Sequence, residues 1–386
     1  MSGDMESTPE AKDGLTADPE RDSAARLLLD AALGESNGGN NTEGKGSRLL
    51  LIEGGCGALA AHFAPRFPET ISHNYLYRNH TVSQALLAGQ GLTRVRCLLG
   101  DLPRAGKTPG LEPDSCDEII FRLGRGTALI NAALMEAFRL LRKGGNFWVS
   151  GHNQEGIKSF AKRAEAHFGN MHLVRIKSSC RLIRFQKESD APIDPVEDPR
   201  YFEMVPLEIG LPKIGKLPYL SKPGIFSYRS TDLGTAALAR HFPDCAGREV
   251  LDLGCGSGVL SLAAFKAGAS SVLAVDANAI ATACAEMNFQ SQNLPGRVLC
   301  TNLTEGIEAD FDLILSNPPF HHGSETDFSF PGKILDAILP RLRSGGSVYL
   351  VANRFLDYVT QGERRFKSVE ILAREQGYCV YRMTAA

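Results

Sequence analysis

At 386 residues, with 43% hydrophobic and 22% charged residues, the chain is a globular protein too long for one ordinary core. No apolar run approaches the roughly 20 residues needed to span a bilayer, and no charged-then-apolar leader opens the sequence. That argues against membrane insertion and export, and a cytoplasmic location is expected. The nine cysteines form neither a CxxC pair nor a Cys/His knuckle, so free thiols and no metal are expected.

The net charge of −2 is unevenly divided. Residues 1–46 hold 4 Lys/Arg against 10 Asp/Glu, residues 47–187 hold 20 against 10, and residues 188–386 hold 18 against 24. One strongly basic block therefore sits inside an acidic protein, a candidate face for a polyanion.

In chain order, residues 1–46 are rich in Gly, Asn, Ser and acids, with one apolar patch from Ala24 to Leu33 long enough for a short helix. The rest buries too little apolar area to offset ordering entropy, so an acidic disordered tail is expected. Residues 47–187 alternate strand-like and helical runs. Leu49–Ile52 is followed by a glycine-rich turn, Arg96–Asp101 and Asp117–Phe121 read as short buried strands, and Ala128–Leu141 reads as a helix. Such alternation implies a parallel sheet with crossover helices. Residues 188–222 are proline-rich, a linker with a hairpin between Tyr201–Ile209 and Lys216–Leu220.

Residues 223–386 repeat the first unit. Val250–Gly256 aligns with Leu51–Gly57, Phe311–Ser316 with Cys116–Phe121, and Arg341–Val351 with Leu140–Ser150. Three collinear matches at so long an offset mean a duplicated domain rather than a solenoid. The predicted architecture is thus α/β, two tandem doubly wound domains.

Four strands of the second copy end in polar groups. Asp252-Leu253-Gly254-Cys255-Gly256-Ser257-Gly258 is a glycine-rich strand-to-helix turn that lets backbone approach a ligand. Asp276, 22 residues beyond Gly254, is placed to accept ribose hydroxyls, and Asn302 could contact an adenine edge. The fourth strand runs into Asn317-Pro318-Pro319-Phe320. The prolines end the ladder and push the carboxamide and the ring out at the sheet's C-terminal edge. The first loop lacks the GxGxxG form of a dinucleotide site. Asn317 and the Pro318 carbonyl suit a planar exocyclic amine, whose two N–H groups they can accept, while Phe320 stacks on its ring. No general base is demanded of His321 or His322, which either touch the substrate's phosphates or simply close the loop. Guanine N2, adenine N6 and glutamine N5 all remain open as acceptors, as does a non-catalytic RNA-binding role.

Pro223–Ser227, Thr231–Thr235, LDLGCGSGVL, SNPPFHHG and Val351–Leu356 together resemble the bacterial ribosomal RNA guanine-N2 methyltransferases of the RsmC/RlmG family, over about residues 47–386. The resemblance implies two Rossmann-like methyltransferase domains, the N-terminal one degenerate, and S-adenosylmethionine bound only by the C-terminal one. By motif, Asp252, Gly254, Gly256, Gly258 and Asp276 would take the donor's methionine and ribose, and Asn302 its adenine. Asn317 to Phe320 would hold a guanine of 16S rRNA, free or in the small ribosomal subunit. Thr231, Asp232 and Thr235 match a loop near the donor's methionine end. In the first copy Arg122-Leu123-Gly124-Arg125 replaces Asn317–Phe320, and Leu59 stands opposite Gly258. Arg122 and Arg125, in the basic block, are therefore expected to contact RNA phosphates from a docking domain.

Overall fold

Short apolar runs bounded by glycine or charge become the inner strands of two sheets. The computed structural model describes residues 22–29, 47–124, 126–197, 200–212, 214–318, 321–322, 325–326 and 329–386. The first sheet contains β1 (Arg48–Ile52), β2 (Glu69–Asn74), β3 (Arg96–Leu99), β4 (Cys116–Arg122), β5 (Leu141–His152), β6 (His172–Lys177) and β7 (Cys180–Gln186). Their order is β3-β2-β1-β4-β5-β7-β6, with β7 antiparallel to both its neighbours. A hairpin, β8 (Val205–Leu211) and β9 (Gly215–Ser221), follows.

The second sheet repeats the first with β10 (Glu249–Leu253), β11 (Ser271–Asp276), β12 (Arg297–Cys300) and β13 (Phe311–Ser316). A two-residue pair, β14 (His321–His322) and β15 (Glu325–Thr326), intervenes before β16 (Leu342–Asn353), β17 (Ser368–Glu375) and β18 (Tyr378–Thr384). The order, β12-β11-β10-β13-β16-β18-β17, is that of the first sheet. The expected duplication and Rossmann-like topology are both present. The nine cysteines are unbridged, and no helix among the described residues is long and apolar enough to cross a membrane.

Helices cover both faces of each sheet. In the first unit these are α1 (Ser23–Leu29), α2 (Ala58–Phe63), α3 (Tyr77–Gly89), α4 (Thr127–Leu140) and α5 (Ile157–Phe168). In the second, α6 (Leu233–Arg240), α7 (Val259–Lys266) and α8 (Ala279–Ser291) stand in the places of α1, α2 and α3. The helix α1 falls largely within the apolar patch expected to be helical, and its packing was not foreseen. Ala24, Ala25, Leu27 and Leu28 are buried with Leu49, Leu51 and Trp148 in one core, so this part of the segment belongs to the first unit. Four adjacent apolar side chains on a single turn-and-a-half are enough to offset its ordering cost.

The two units meet through equivalent loops. Tyr77 N donates to Ala277 O at 2.9 Å, and Ala279 N donates to Tyr75 O at 2.8 Å, about the bridge Leu76–Asn278. The loop after β2 therefore pairs with the loop after β11 in a reciprocal, near-twofold manner. Beside it, Asp101 accepts from the Tyr201 hydroxyl at 2.7 Å and pairs with Lys222 Nζ, tying the linker to the tips of the first sheet.

Candidate functional site

The C-terminal ends of β10, β11, β12 and β13 surround a cavity of about 390 Å³. Gly254, Gly256, Asp276, Asn302, Asn317, Pro318, Asp232 and Thr235 all line it, so most of the expected residues are brought together. Its walls are otherwise largely apolar, from Leu253, Val275, Leu303, Phe330 and Ile334. Pro319, Phe320 and Arg125 lie outside the described residues.

The glycine turn is shaped by hydrogen bonds to the neighbouring strand. Gly254 N and Cys255 N both donate to Val275 O, at 2.8 and 2.9 Å, which requires the positive φ of 74° that Gly254 adopts. Asp276 Oδ2 accepts from Gly256 N and Oδ1 from Asn278 N, each at 2.9 Å. A carboxylate offers about four acceptor positions, so the backbone leaves room on Asp276 for a hydroxyl of a ligand in the cavity. Burial raises the Asp276 pKa, and the backbone N–H groups of Asn278 and Gly256 oppose that rise.

Asn317 is held from behind. Its Nδ2 donates to Asp232 Oδ2 at 2.9 Å and to Thr235 Oγ1 at 2.8 Å. A carboxylate only accepts, so this contact fixes which end of the amide is nitrogen. Both amide protons are thereby used, and Asn317 Oδ1 has no hydrogen-bond partner among the described residues. Asp232 is itself the N-cap of α6, accepting from Thr235 N at 3.0 Å. The family resemblance put Asp232 and Thr235 near the donor; both line the cavity, and both also contact Asn317.

Three expected donor contacts are corrected. Asp252 is fully buried and does not line the cavity. Its Oδ2 accepts from Ser261 N (2.9 Å) and Ser261 Oγ (2.6 Å), anchoring the start of α7. Desolvation pushes its pKa up to about 7. Gly258 is the N-cap of α7 with φ of 81°, and an added Cβ would lie 2.9 Å from Ala285 Cβ, so it permits close packing of α7 on α8. Thr231 bonds Tyr219 (2.9 Å) and the Glu208 carbonyl (3.2 Å), outside the cavity lining.

In the first unit the equivalent site is filled. Ile52 pairs with Phe121 as Leu253 pairs with Ser316, which places Arg122 at the position of Asn317. Gly55 N donates to Asn74 Oδ1 at 2.9 Å as Gly256 N does to Asp276, and an added Cβ on Gly57 would meet Ser83 as one on Gly258 meets Ala285. Gly57, not Leu59, is therefore the counterpart of Gly258, and Glu53 is that of Gly254. Glu53 adopts φ of 56° and turns a largely buried side chain onto Tyr75 N at 3.2 Å, where desolvation holds its pKa well above the usual carboxyl range. Asp101, at the Asn302 position, is taken by Tyr201 and Lys222.

Arg122 is not an exposed phosphate ligand. Its side chain is 13% exposed and is clamped by Asp22 at 2.7 Å and by both oxygens of Glu155, at 2.7 and 2.8 Å. Two carboxylates and two hydrogen-bonded faces leave the guanidinium no free edge for a phosphate. Sequence reading also missed Asp22, Glu53 and Glu155. Only Asp22 carried a signal, an acidic residue directly before an apolar helical patch, the pattern of an N-cap.

Comparison with known proteins agrees with this geometry. Residues 216–382 match the family model of the methyltransferase small domain. The chain is 33% identical over 254 residues to the ribosomal RNA small subunit methyltransferase C of Pseudomonas entomophila, covering 66% of this chain and 75% of the relative. With the protein of the same name from Aeromonas hydrophila subsp. hydrophila it shares 30% identity over 342 residues, 87% of this chain and 93% of the relative. Among solved structures it resembles the T. thermophilus 16S rRNA N2 methyltransferase in complex with AdoMet and guanosine. That match has a TM-score of 0.76 at 25% identity and covers 96% and 93% of the two chains.

Proposed function

The chain belongs to the ribosomal RNA small subunit methyltransferase C family, and from that premise we propose how its second unit methylates the exocyclic N2 of a guanosine in 16S rRNA. The carrying observation is the fixed Asn317 amide, which lines the same cavity as the glycine turn and Asp276 and whose oxygen has no partner among the described residues.

S-adenosylmethionine, when bound, supplies an electrophilic methyl group on a sulfonium. The residues present fit it. The glycine turn admits close backbone approach, Asp276 keeps acceptor capacity for the ribose, and the apolar walls suit an adenine. Asn302 stands at the mouth of the β12 strand for the adenine edge.

Asn317 Oδ1 and the Pro318 carbonyl would accept the two N–H groups of the guanine amine. Those bonds pull the amine out of conjugation and turn its lone pair toward the methyl carbon. The N–C bond forms as the C–S bond breaks, and the amine proton leaves to water. Positioning and electrostatics lower the barrier, and no side-chain base is required. Phe320 follows Asn317 closely enough in sequence to cover the base.

We assign the first unit to docking on the RNA, in the cytoplasm where ribosomal RNA is assembled, and take the assembled small subunit as the substrate form. Its exposed cations, such as Lys158 and Lys162 of α5, replace Arg122 in that role. The deciding measurement is tritium transfer from labelled S-adenosylmethionine to small subunits from a strain lacking this gene. Asn317→Ala should reduce it at least about a hundredfold while donor binding persists. Unchanged transfer by that variant would refute the assignment.

A further inference from the structure

A second cavity, of about 380 Å³, lies between the two units and takes no part in the donor site. Its first-unit wall is Tyr75 and the opening turn of α4, and its second-unit wall is Pro223, Gly224, Tyr228 and Arg229. The two cavities share one partition. Gly224 faces this cleft, while the next residues, Ile225 to Ser227, face the donor cavity. Asn278, a donor-cavity residue, pins the partition through a 2.9 Å bond from Nδ2 to Gly224 O.

The chemistry of the cleft is that of a nucleotide site. Arg229 is exposed, lies 5.2 Å from the Tyr228 ring centroid, and has no carboxylate partner among the described residues. No carboxylate lines the cleft. Tyr75 and Tyr228 present aromatic surface, and neither hydroxyl has a hydrogen-bond partner among the described residues. The α4 helix adds open N–H groups, because its N-cap is Gly126, without a side-chain cap. A stacked cation, two aromatic rings and no opposing acid are what a base with its phosphate requires.

We propose that this cleft holds the RNA nucleotide adjoining the target guanosine, with its phosphate on Arg229 and its base against Tyr228. The partition from Pro223 to Ser230 would then separate two successive nucleotides, so that occupancy of the cleft delivers the guanosine to Asn317. This rests on the reaction assigned above.

The test uses the full chain with S-adenosylhomocysteine bound, measuring affinity for guanosine and for a trinucleotide with guanosine at its centre. The wild type should bind the trinucleotide more tightly, and Arg229→Ala should lose about tenfold to a hundredfold of that gain with guanosine affinity unchanged. Tyr228→Ala should lose a comparable factor. The salt slope for the trinucleotide should fall by about 0.7 in Arg229→Ala, the loss of one single-strand phosphate contact. An unchanged ratio with guanosine still bound would overturn the cleft alone. Inorganic phosphate binding that depends on Arg229, without any trinucleotide gain, would overturn it in favour of a free-anion site. A wild type that binds no guanosine would overturn the assigned reaction and the cleft together. Both substituted side chains are partly or fully exposed, and donor binding reports that each variant is folded.

Discussion

Asp232 Oδ2 lies 2.9 Å from Asn317 Nδ2, and the same cap-to-strand contact recurs in the first unit as Asp22 Oδ2 to Arg122 Nε at 2.7 Å. In both, the N-cap carboxylate of the first helix reaches the residue that leaves the fourth strand. One copy uses the contact to aim an amide, the other to bury a guanidinium.

Asp232→Ala should leave Asn317 free to rotate its amide. We expect kcat to fall by about tenfold to a hundredfold, the worth of one hydrogen bond to a charged group, with donor Kd unchanged. The lost cap should also cost about 1 kcal/mol in a denaturant titration. Asp232→Asn keeps a good cap, so it should recover the stability but only part of kcat. Equal loss of kcat and of donor affinity would contradict an orienting role.

Arg122→Ala should destabilise the first unit by about 3–5 kcal/mol, since Asp22 and Glu155 would be left uncompensated in a mostly buried site. Urea unfolding measures this. The variant's RNA affinity, taken where it remains folded, should match the wild type, unlike the outcome expected of a phosphate ligand.

Asp252 makes stability depend on pH. Its pKa, raised from 3.8 to about 7 by burial, means the native state keeps a proton that the unfolded chain releases near pH 4. The stabilisation is therefore complete below about pH 4 and is lost as pH rises to about 7, up to about 4 kcal/mol. Asp252→Asn carries no titrating proton, so its stability relative to the wild type should climb across that window and then level off. Parallel curves for the two proteins would show that Asp252 does not titrate there.

Calorimetry should find one S-adenosylmethionine per chain. Glu53→Gly should not create a second site, because Tyr201 and Lys222 still occupy Asp101. Asp276→Ala should abolish the single site. A stoichiometry of two in the Glu53 variant would mean that Glu53 alone closes the first unit.

Much of the second unit was legible because its signals are local. A strand, a glycine turn and a polar strand end are read within ten residues, and Asn317 and Asp276 fall where that reading puts them. Asp252 was misplaced because a carboxylate at a strand end looks alike whether it faces a ligand or its own following helix. Arg122 was misread for another reason. Its partner Asp22 is 100 residues away, and a charge count cannot distinguish a paired guanidinium from a free one. The two-residue error that set Leu59 opposite Gly258 arose from matching leucines and glycines by letter. The structural match instead follows the hydrogen bond from Gly55 to Asn74.

The reciprocal bonds between Tyr75–Tyr77 and Ala277–Ala279 have the form of an isologous contact, in which one surface meets its own copy. A single chain thus carries the interface of a symmetric pair. Symmetry ordinarily obliges both partners of such a pair to change together. Here covalent linkage removed that obligation: one half could surrender its donor pocket to the linker, while the half bearing Asn317 kept both its neighbour and its chemistry.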